Sequence, residues 1–329
     1  MRRAFRRLSI ARLLIAGACL LVSGVNQPTK AAEGGIGVYL LGAKATTGVG
    51  ITPPAGVYFQ NDSYFYDGSL SKCKTLPTGG LLVGNVSSQT WLNLSSPIWI
   101  TPVTLLGGSL GFSATVPIGK PQIDATLLVN SPRFGPLGRS VSDAEFNLSD
   151  LYISSFLGWS AGNFHWQLGV SGIIPSGTYT PGQLSNASLN RDAIDAFGAF
   201  TWFDPKQGLD LSAALGFTFN QPNSATNYKT GDEFHLEWAA TKYLTKQFTV
   251  SLVGYYYDQF TGDSGLGARL GSFEGRVVAL GGAIGYTFEA GALPISTRLK
   301  IFREFDAVNR QEGTAGYFTV SLPLAIVTR

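Results

Sequence analysis

A two-residue alternation of apolar and polar side chains recurs along most of this chain. In 163–174, Phe164, Trp166, Leu168 and Val170 fall on one parity, and Asn163, His165, Gln167 and Ser171 on the other. A period of two puts successive side chains on opposite faces of a β-strand whose faces meet different surroundings. The pattern marks thirteen candidate strands: 56–66, 86–100, 105–118, 121–130, 148–160, 163–174, 193–203, 209–220, 232–243, 247–257, 275–288, 294–304 and 315–324. Tight connections at 161–162, 204–208, 245–246 and 289–292 alternate with long polar stretches at 131–147, 175–192, 221–231, 258–274 and 305–314. Short turns at one end and long loops at the other predict an all-β fold, a transmembrane antiparallel β-barrel with its short side periplasmic. A soluble sandwich has no need of that asymmetry. Such barrels carry an even number of strands, so thirteen is one off. Pro97 and Pro102 make 67–105 the weakest region, because proline cannot donate to a ladder. The expectation is 12 strands, with 14 as the alternative.

Transfer cost decides which face meets lipid. An Arg or Lys at the bilayer midplane costs about 2–4 kcal/mol, so apolar parity points outward and polar parity inward. On 209–220, Leu209, Leu211, Ala213, Leu215, Phe217 and Phe219 face lipid, and Asp210, Ser212, Thr218 and Asn220 the lumen. On 232–243, Glu233, His235 and Glu237 point in; on 294–304, Arg298, Lys300 and Glu304 do. The same parity adds Gln60, Asp62, Asp124, Asp150, His165, Gln167, Tyr255 and Tyr257 as lumen-lining candidates. It also predicts that Leu211→Arg impairs folding while Ser212→Arg is better tolerated. Trp159, Trp202, Trp238, Tyr243 and Phe288 suit interfacial girdles near strand ends.

The N-terminus supplies the compartment. Arg2, Arg3, Arg6, Arg7 and Arg12 precede a short apolar run at 13–25, and Thr29-Lys30-Ala31 offers a small-residue cleavage site. That is a secretory signal peptide, and its apolar run is too short to span a bilayer. The division expected is 1–31 leader, 32–55 a Gly/Pro-rich extension at the barrel mouth, and 56–329 barrel. Of the 24 basic residues, those at 2, 3, 6, 7, 12 and 30 leave with the leader; 18 then face 21 acidic ones, a net charge of −3. The chain's basicity therefore belongs to the leader and says nothing of nucleic acid. Cys73 alone remains of the 2 cysteines, so no intrachain disulfide forms. With 41 glycines and 14% charged residues, the composition suits a barrel.

Candidate chemistry is sparse. The 2 histidines, His165 and His235, both lie on polar parity. Glu233, His235 and Glu237 share one face and form a ligand set on paper, though lumen charge explains them more simply. A hydrolase built around His165 or His235 stays open as an alternative, since convergent triads are recognised by geometry and not by spacing. Gly262-Asp263-Ser264-Gly265 lacks the lysine of a phosphate loop. No cofactor and no metal is called for. The expected partners are outer-membrane lipids, small hydrophobic or aromatic solutes and the barrel-assembly machinery.

Residues 254–286, from Gly254-Tyr255-Tyr256-Tyr257-Asp258 to Gly285-Tyr286, resemble the signature block of a family of outer-membrane transport channels labelled as involved in the meta-pathway of phenol degradation. Pro53–Asp62, Gly231–Glu237 and Glu304–Arg310 are similar to it as well. The resemblance implies an outer-membrane channel for passive uptake of hydrophobic or aromatic compounds, and it carries no catalytic residues. Tyr58, Tyr64, Tyr66, Tyr255 and Tyr257 on polar parity fit an aromatic-lined path. A structural barrel is the main alternative, and a lipid or ester hydrolase a further one. The chain runs past its last candidate strand into Pro323-Leu324-Ala325-Ile326-Val327-Thr328-Arg329 instead of ending on an aromatic residue.

Overall fold

In the computed structural model, residues 37–75, 81–131, 135–268, 271–291 and 293–327 are described. The leader, its cleavage point and residues 32–36 of the extension lie outside them. The chain forms β1 (Gly56–Thr75), β2 (Leu81–Leu105), β3 (Gly108–Ser131), β4 (Gly135–Ala144), β5 (Asn147–Leu148), β6 (Leu151–Ala161) and β7 (Phe164–Ile174). It continues with β8 (Ala193–Asp204), β9 (Leu209–Asn220), β10 (Glu233–Tyr243), β11 (Phe248–Gln259), β12 (Arg276–Ala290), β13 (Leu293–Val308) and β14 (Glu312–Ile326). Sequential neighbours pair antiparallel, β3 pairs β6, and β1 pairs β14 from Gly56↔Ile326 to Ser69↔Glu312. Twelve strands thus close into a barrel, while β4 and β5 attach to the upper part of β3.

The surplus candidate is accounted for: 105–118 and 121–130 are one strand, β3. On one side β3 follows β2; on the other its partner changes from β6 at 109–115 to β5 at 118–119 and to β4 from Gln122. Pro117 and Pro121 occupy those two changeovers, where a missing N–H costs no ladder bond. Their carbonyls are taken up by the Ser149 N–H (2.9 Å) and the Ser185 hydroxyl (2.8 Å). Pro97 likewise sits at a gap in β2–β3 pairing, and Pro102 at the register shift between Ile100 and Thr104.

The two ends differ as expected. Leu106-Gly107, Gly162, Gly208 and Gly291 make the tight end with positive φ. The long connections lie opposite. Outward side chains of the wall are apolar and exposed: Leu211, Leu215, Phe217 and Phe219 on β9, Leu252 on β11, Leu299 and Ile301 on β13. Aromatic pairs gather toward the tight end, Trp159 on Trp166, Phe164 against Phe200 and Phe203 against Tyr243. Trp238 is not among them; it lies midway along β10, over Gly254, where an added Cβ would meet its ring at 2.7 Å.

β1, β2 and β3 run for 20, 25 and 24 residues, against 11 or 12 for β6 to β11. A membrane crossing needs about 9–11. The surplus projects on the long-loop side as a four-stranded sheet, β1–β2–β3–β4.

Candidate functional site: the barrel interior

Residues 37–55 occupy the barrel interior. They descend from the level of Glu233, beside Gly37, to the tight end, where β1 begins. The grip is largely on backbone. Glu237 accepts the Gly42 N–H (2.9 Å). Asp210 and Ser212 accept the Gly48 N–H (3.1 and 3.0 Å), and Thr201 the Gly50 N–H (2.9 Å). Lys300 donates to the carbonyls of Gly42 (2.6 Å) and Ala43 (3.1 Å), Tyr317 to that of Leu41, Arg298 to the Thr46 hydroxyl, and Gln167 to Ile51 (3.1 Å). At Gly50 the approach is so close that a Cβ would lie 2.7 Å from Thr201 N and His165 O. Polar residues on lumen parity therefore hold a segment of the same chain. This also revises the expectation for Ser212. It is buried, bonded to Thr201 (2.8 Å) and Asp210 (2.7 Å), and an arginine there has no room.

Glu233, His235 and Glu237 are fully buried. His235 Nε2 lies 2.9 Å from Asp195 Oδ1, and Tyr39 of the inner segment stacks on the imidazole at 3.6 Å between centroids. Glu233 is bonded by Asn220 (3.3 Å). No group of three or more His, Cys, Asp or Glu side chains among the described residues is arranged to hold a metal ion. Lys44 lies over the Phe197 ring (3.1 Å). Glu304 accepts from Tyr66 (2.8 Å), Tyr255 (2.9 Å) and the Gly313 N–H (2.8 Å), and Tyr257 lies beneath Arg310 (4.4 Å). Asp62 accepts from Thr319 and from Gln60 (2.7 Å). Asp150 sits at the loop end and accepts the N–H groups of Gly177 (3.3 Å) and Leu189 (2.8 Å).

Asp124 needs a correction. It lies in the projecting sheet, above the stretch of β3 that pairs with β6, in a row with Ser87 and Ser142. That parity is the outward one, so Asp124 does not line the lumen. Above the membrane the outward face is itself polar, so polarity there no longer marks the lumen side.

The histidines divide the parts of a triad between them. His235 has an acid partner, but its Nδ1 meets no hydrogen-bonding group. His165 Nδ1 meets the Ser160 hydroxyl (2.8 Å) at the tight end, whereas Asp195 lies further along the β7–β8 ladder, opposite Ser171.

What the inner segment leaves open is a cavity of about 180 Å³ on the long-loop side. Tyr64, Tyr66, Leu92, Leu94, Tyr152 and Ile173 form its walls, and Tyr39 and Leu41 its inner side. Asn186, Ala187, Leu189 and the Ser88–Gln311 hydrogen bond lie along its upper edge. A void of about 150 Å³ lined by apolar side chains holds one benzene ring. Three residues that line the cavity have a buried polar atom without a partner, the hydroxyls of Tyr39 and Tyr152 and the amide nitrogen of Gln311. A buried donor or acceptor left unpaired costs about 1–3 kcal/mol. Sequence reasoning found Tyr64, Tyr66 and Tyr255 but missed Leu92, Leu94, Tyr39 and Gln311. Leu92 and Leu94 break polar parity, and Tyr39 lies in no strand.

Residues 75–320 match the family model described as "Putative MetA-pathway of phenol degradation". The crystal structure of an outer membrane channel from Pseudomonas putida F1 aligns with 87% of this chain and 100% of its own, at 9% identity and a TM-score of 0.64. That shows a shared fold. A Pseudomonas aeruginosa FadL homologue aligns with 90% of this chain and 98% of its own at 10% identity, with a TM-score of 0.37, too loose to carry an argument. No curated protein matches the sequence. The closed twelve-stranded wall with its apolar outer belt is that of a multi-pass barrel of the Gram-negative outer membrane.

Proposed function

Because the chain belongs to the phenol-degradation family of that model, and its fold is that of an outer-membrane channel, we propose that it takes up small molecules with an apolar or aromatic body and at most one polar tip. The observation that carries this is the cavity of about 180 Å³, walled by tyrosines and aliphatic side chains, three of whose lining residues hold an unpartnered polar atom. A phenol-sized ring fills such a space, and its hydroxyl gives Tyr39 or Gln311 a partner. Ion passage fits less well. On the tight-end side the interior is occupied by 37–55, and Asp210, Thr201 and Glu237 are spent on its backbone.

The tyrosine path expected from the sequence is narrowed by this geometry. Tyr64, Tyr66 and Tyr255 touch the cavity, whereas Tyr257 is fully buried under Arg310. The hydrolase alternative finds a histidine–acid pair and a serine–histidine pair, but in different places.

Uptake of radiolabelled phenol and toluene, at limiting concentration, tests the reading in cells with and without the protein. Leu92→Trp should fill the cavity and slow uptake of both, with the barrel still heat-modifiable on gels. Equal uptake with, without and with the filled variant sinks the reading.

A further inference from the structure

The projecting sheet reverses the polarity of the wall that carries it. Inside the membrane, the outward positions of β1 and β2 carry exposed apolar side chains, Phe65 with the Trp91 paired with it and Trp99 lower down, on either side of a hydrogen-bonded cluster of Asn61, Asn93 and Ser95. Two residues above Phe65 and Trp91 the same face becomes Asp67 and Gln89, hydrogen-bonded at 3.0 Å. Above them come the rows Ser69–Ser87–Asp124–Ser142 and Ser71–Asn85–Thr126–Ser140. The outer face of the projection is thus a polar surface with its own hydrogen bonds, Ser71 to Asn85 (2.7 Å) and Thr126 with Ser140 (3.0 Å).

The face continuous with the lumen changes the other way. Leu70, Val86, Ala125 and Val141 stand directly opposite one another across all four strands. Ile123 lies one row below, between Ser88 and Asp143, and Leu127 one row above, between Gly84 and Arg139; Leu127 and Val141 are 50% and 45% exposed. Along the same face of β2, the next inward residues below Val86 are Ser88, Thr90, Leu92 and Leu94, all of which line the cavity. Same-face residues are about 6.7 Å apart, so the row lies about 20 Å above Leu92.

We infer that this row is a capture surface, which takes apolar or aromatic small molecules from the external medium and delivers them down the lumen face of β1–β3 to the cavity. The inference rests on the proposed uptake of such molecules. Continuity of parity between row and cavity identifies the occupant. A second copy of the chain fits less well. Four strands about 4.8 Å apart and three rows about 6.7 Å apart offer roughly 400 Å² among the described side chains, against about 800 Å² per partner in a stable interface.

The test uses the full-length protein in cells, with radiolabelled toluene at limiting concentration. Changing Leu70, Val86 and Val141 together to Thr keeps strand propensity and removes the apolar contact. Initial uptake should fall about five-fold, and about two-fold for Val86→Thr alone, if each contact is worth a fraction of a buried aliphatic side chain. Uptake at saturating toluene should be unchanged. Ser87→Val with Ser142→Val, on the opposite face, should leave the rate as it was. If the row variants take up toluene at the parental rate while Leu92→Trp is slow, the capture surface is wrong and the uptake reading stands. If both run at the parental rate, both are wrong. A row variant with parental uptake but altered crosslinking between barrels overturns the inference in favour of a contact between copies.

Discussion

The wall from β7 to β10 and the wall from β1 to β3 obey the same alternation and use it for opposite ends. In the short wall, most inward residues are small, polar or charged, among them Ala199, Thr201, Asp210, Ser212, Ala214, Glu233, His235 and Glu237, with Phe197 and Ile173 as apolar exceptions. They grip a strand-less segment through its peptide groups, which any sequence of suitable shape supplies. In the long wall, the inward residues include Tyr64, Tyr66, Leu92, Leu94 and Ile100, which bound a cavity or pack, beside the polar Gln60, Asp62, Ser88 and Thr90. The short wall stops where the membrane stops. The long wall goes on, and beyond the membrane its outward face turns polar while its inward face carries the apolar row Leu70–Val86–Ala125–Val141. Facing is therefore a property of a strand, but the medium it faces is a property of height.

The largest expected effect breaks or upholds that distinction directly. Leu215→Arg puts a cation on the lipid face of the short wall and should cost about 2–4 kcal/mol, enough to abolish heat-modifiable mobility. Thr126→Arg has the same outward facing, but on the projection, and should stay within about 0.5 kcal/mol. Equal damage from both would place the projecting sheet in hydrocarbon. Ser212→Arg should be about as harmful as Leu215→Arg, because its side chain meets Thr201, Asp210 and Gly48 instead of open water.

Next in size is the grip on the inner segment. Glu237→Ala leaves the Gly42 N–H without its acceptor, a penalty of about 1–3 kcal/mol for a buried donor. Gly50→Ala forces a Cβ to within 2.7 Å of backbone on β7 and β8. Both should loosen residues 37–55 on the short-wall side. In planar bilayers, each should raise single-channel conductance above that of the parent protein. Leu94→Ala, on the long wall, should enlarge the cavity without that rise. Conductance that is the same in all four proteins would mean the segment does not limit ion flow.

Most of the architecture was legible because alternation is a local consequence of strand geometry. The strands, their facing, and the short and long ends follow from spacing in β7, β9, β10 and β13. Spacing divides β3 into 105–118 and 121–130, each with a proline at or near the break. The tolerance of proline at 117 and 121 depends on where neighbouring strands end, which is not local information. The interior was legible only as polarity. Asp210, Glu233, His235 and Glu237 point inward as expected, yet nothing in their spacing says that residues 37–55 lie against them. That segment has no periodicity, and its glycines matter through what they approach. Tyr39 is the clearest loss: it stacks on His235 and borders the cavity from outside any strand.

The smallest expected effect compares one acid from each wall. Asp210 faces inward on the short wall, is fully buried, and accepts from Gly48 and Ser212. Asp124 faces outward on the projection, is half-buried, and has a single 3.5 Å contact with Gln122. Asp210→Asn turns one acceptor oxygen into a donor at the Gly48 N–H or the Ser212 hydroxyl and should cost about 1–3 kcal/mol. Asp124→Asn keeps the shape and loses a charge that water already screens, so it should change stability by less than about 0.5 kcal/mol. Urea-gradient gels of the folded barrels measure the first quantity. Cation-to-anion selectivity in bilayers measures the second consequence: a charge in the lumen shifts it when removed, whereas one on the outer face of the projection does not. A selectivity shift in Asp124→Asn as large as that in Asp210→Asn would return Asp124 to the lumen and undo the reversal of polarity on which the capture surface depends.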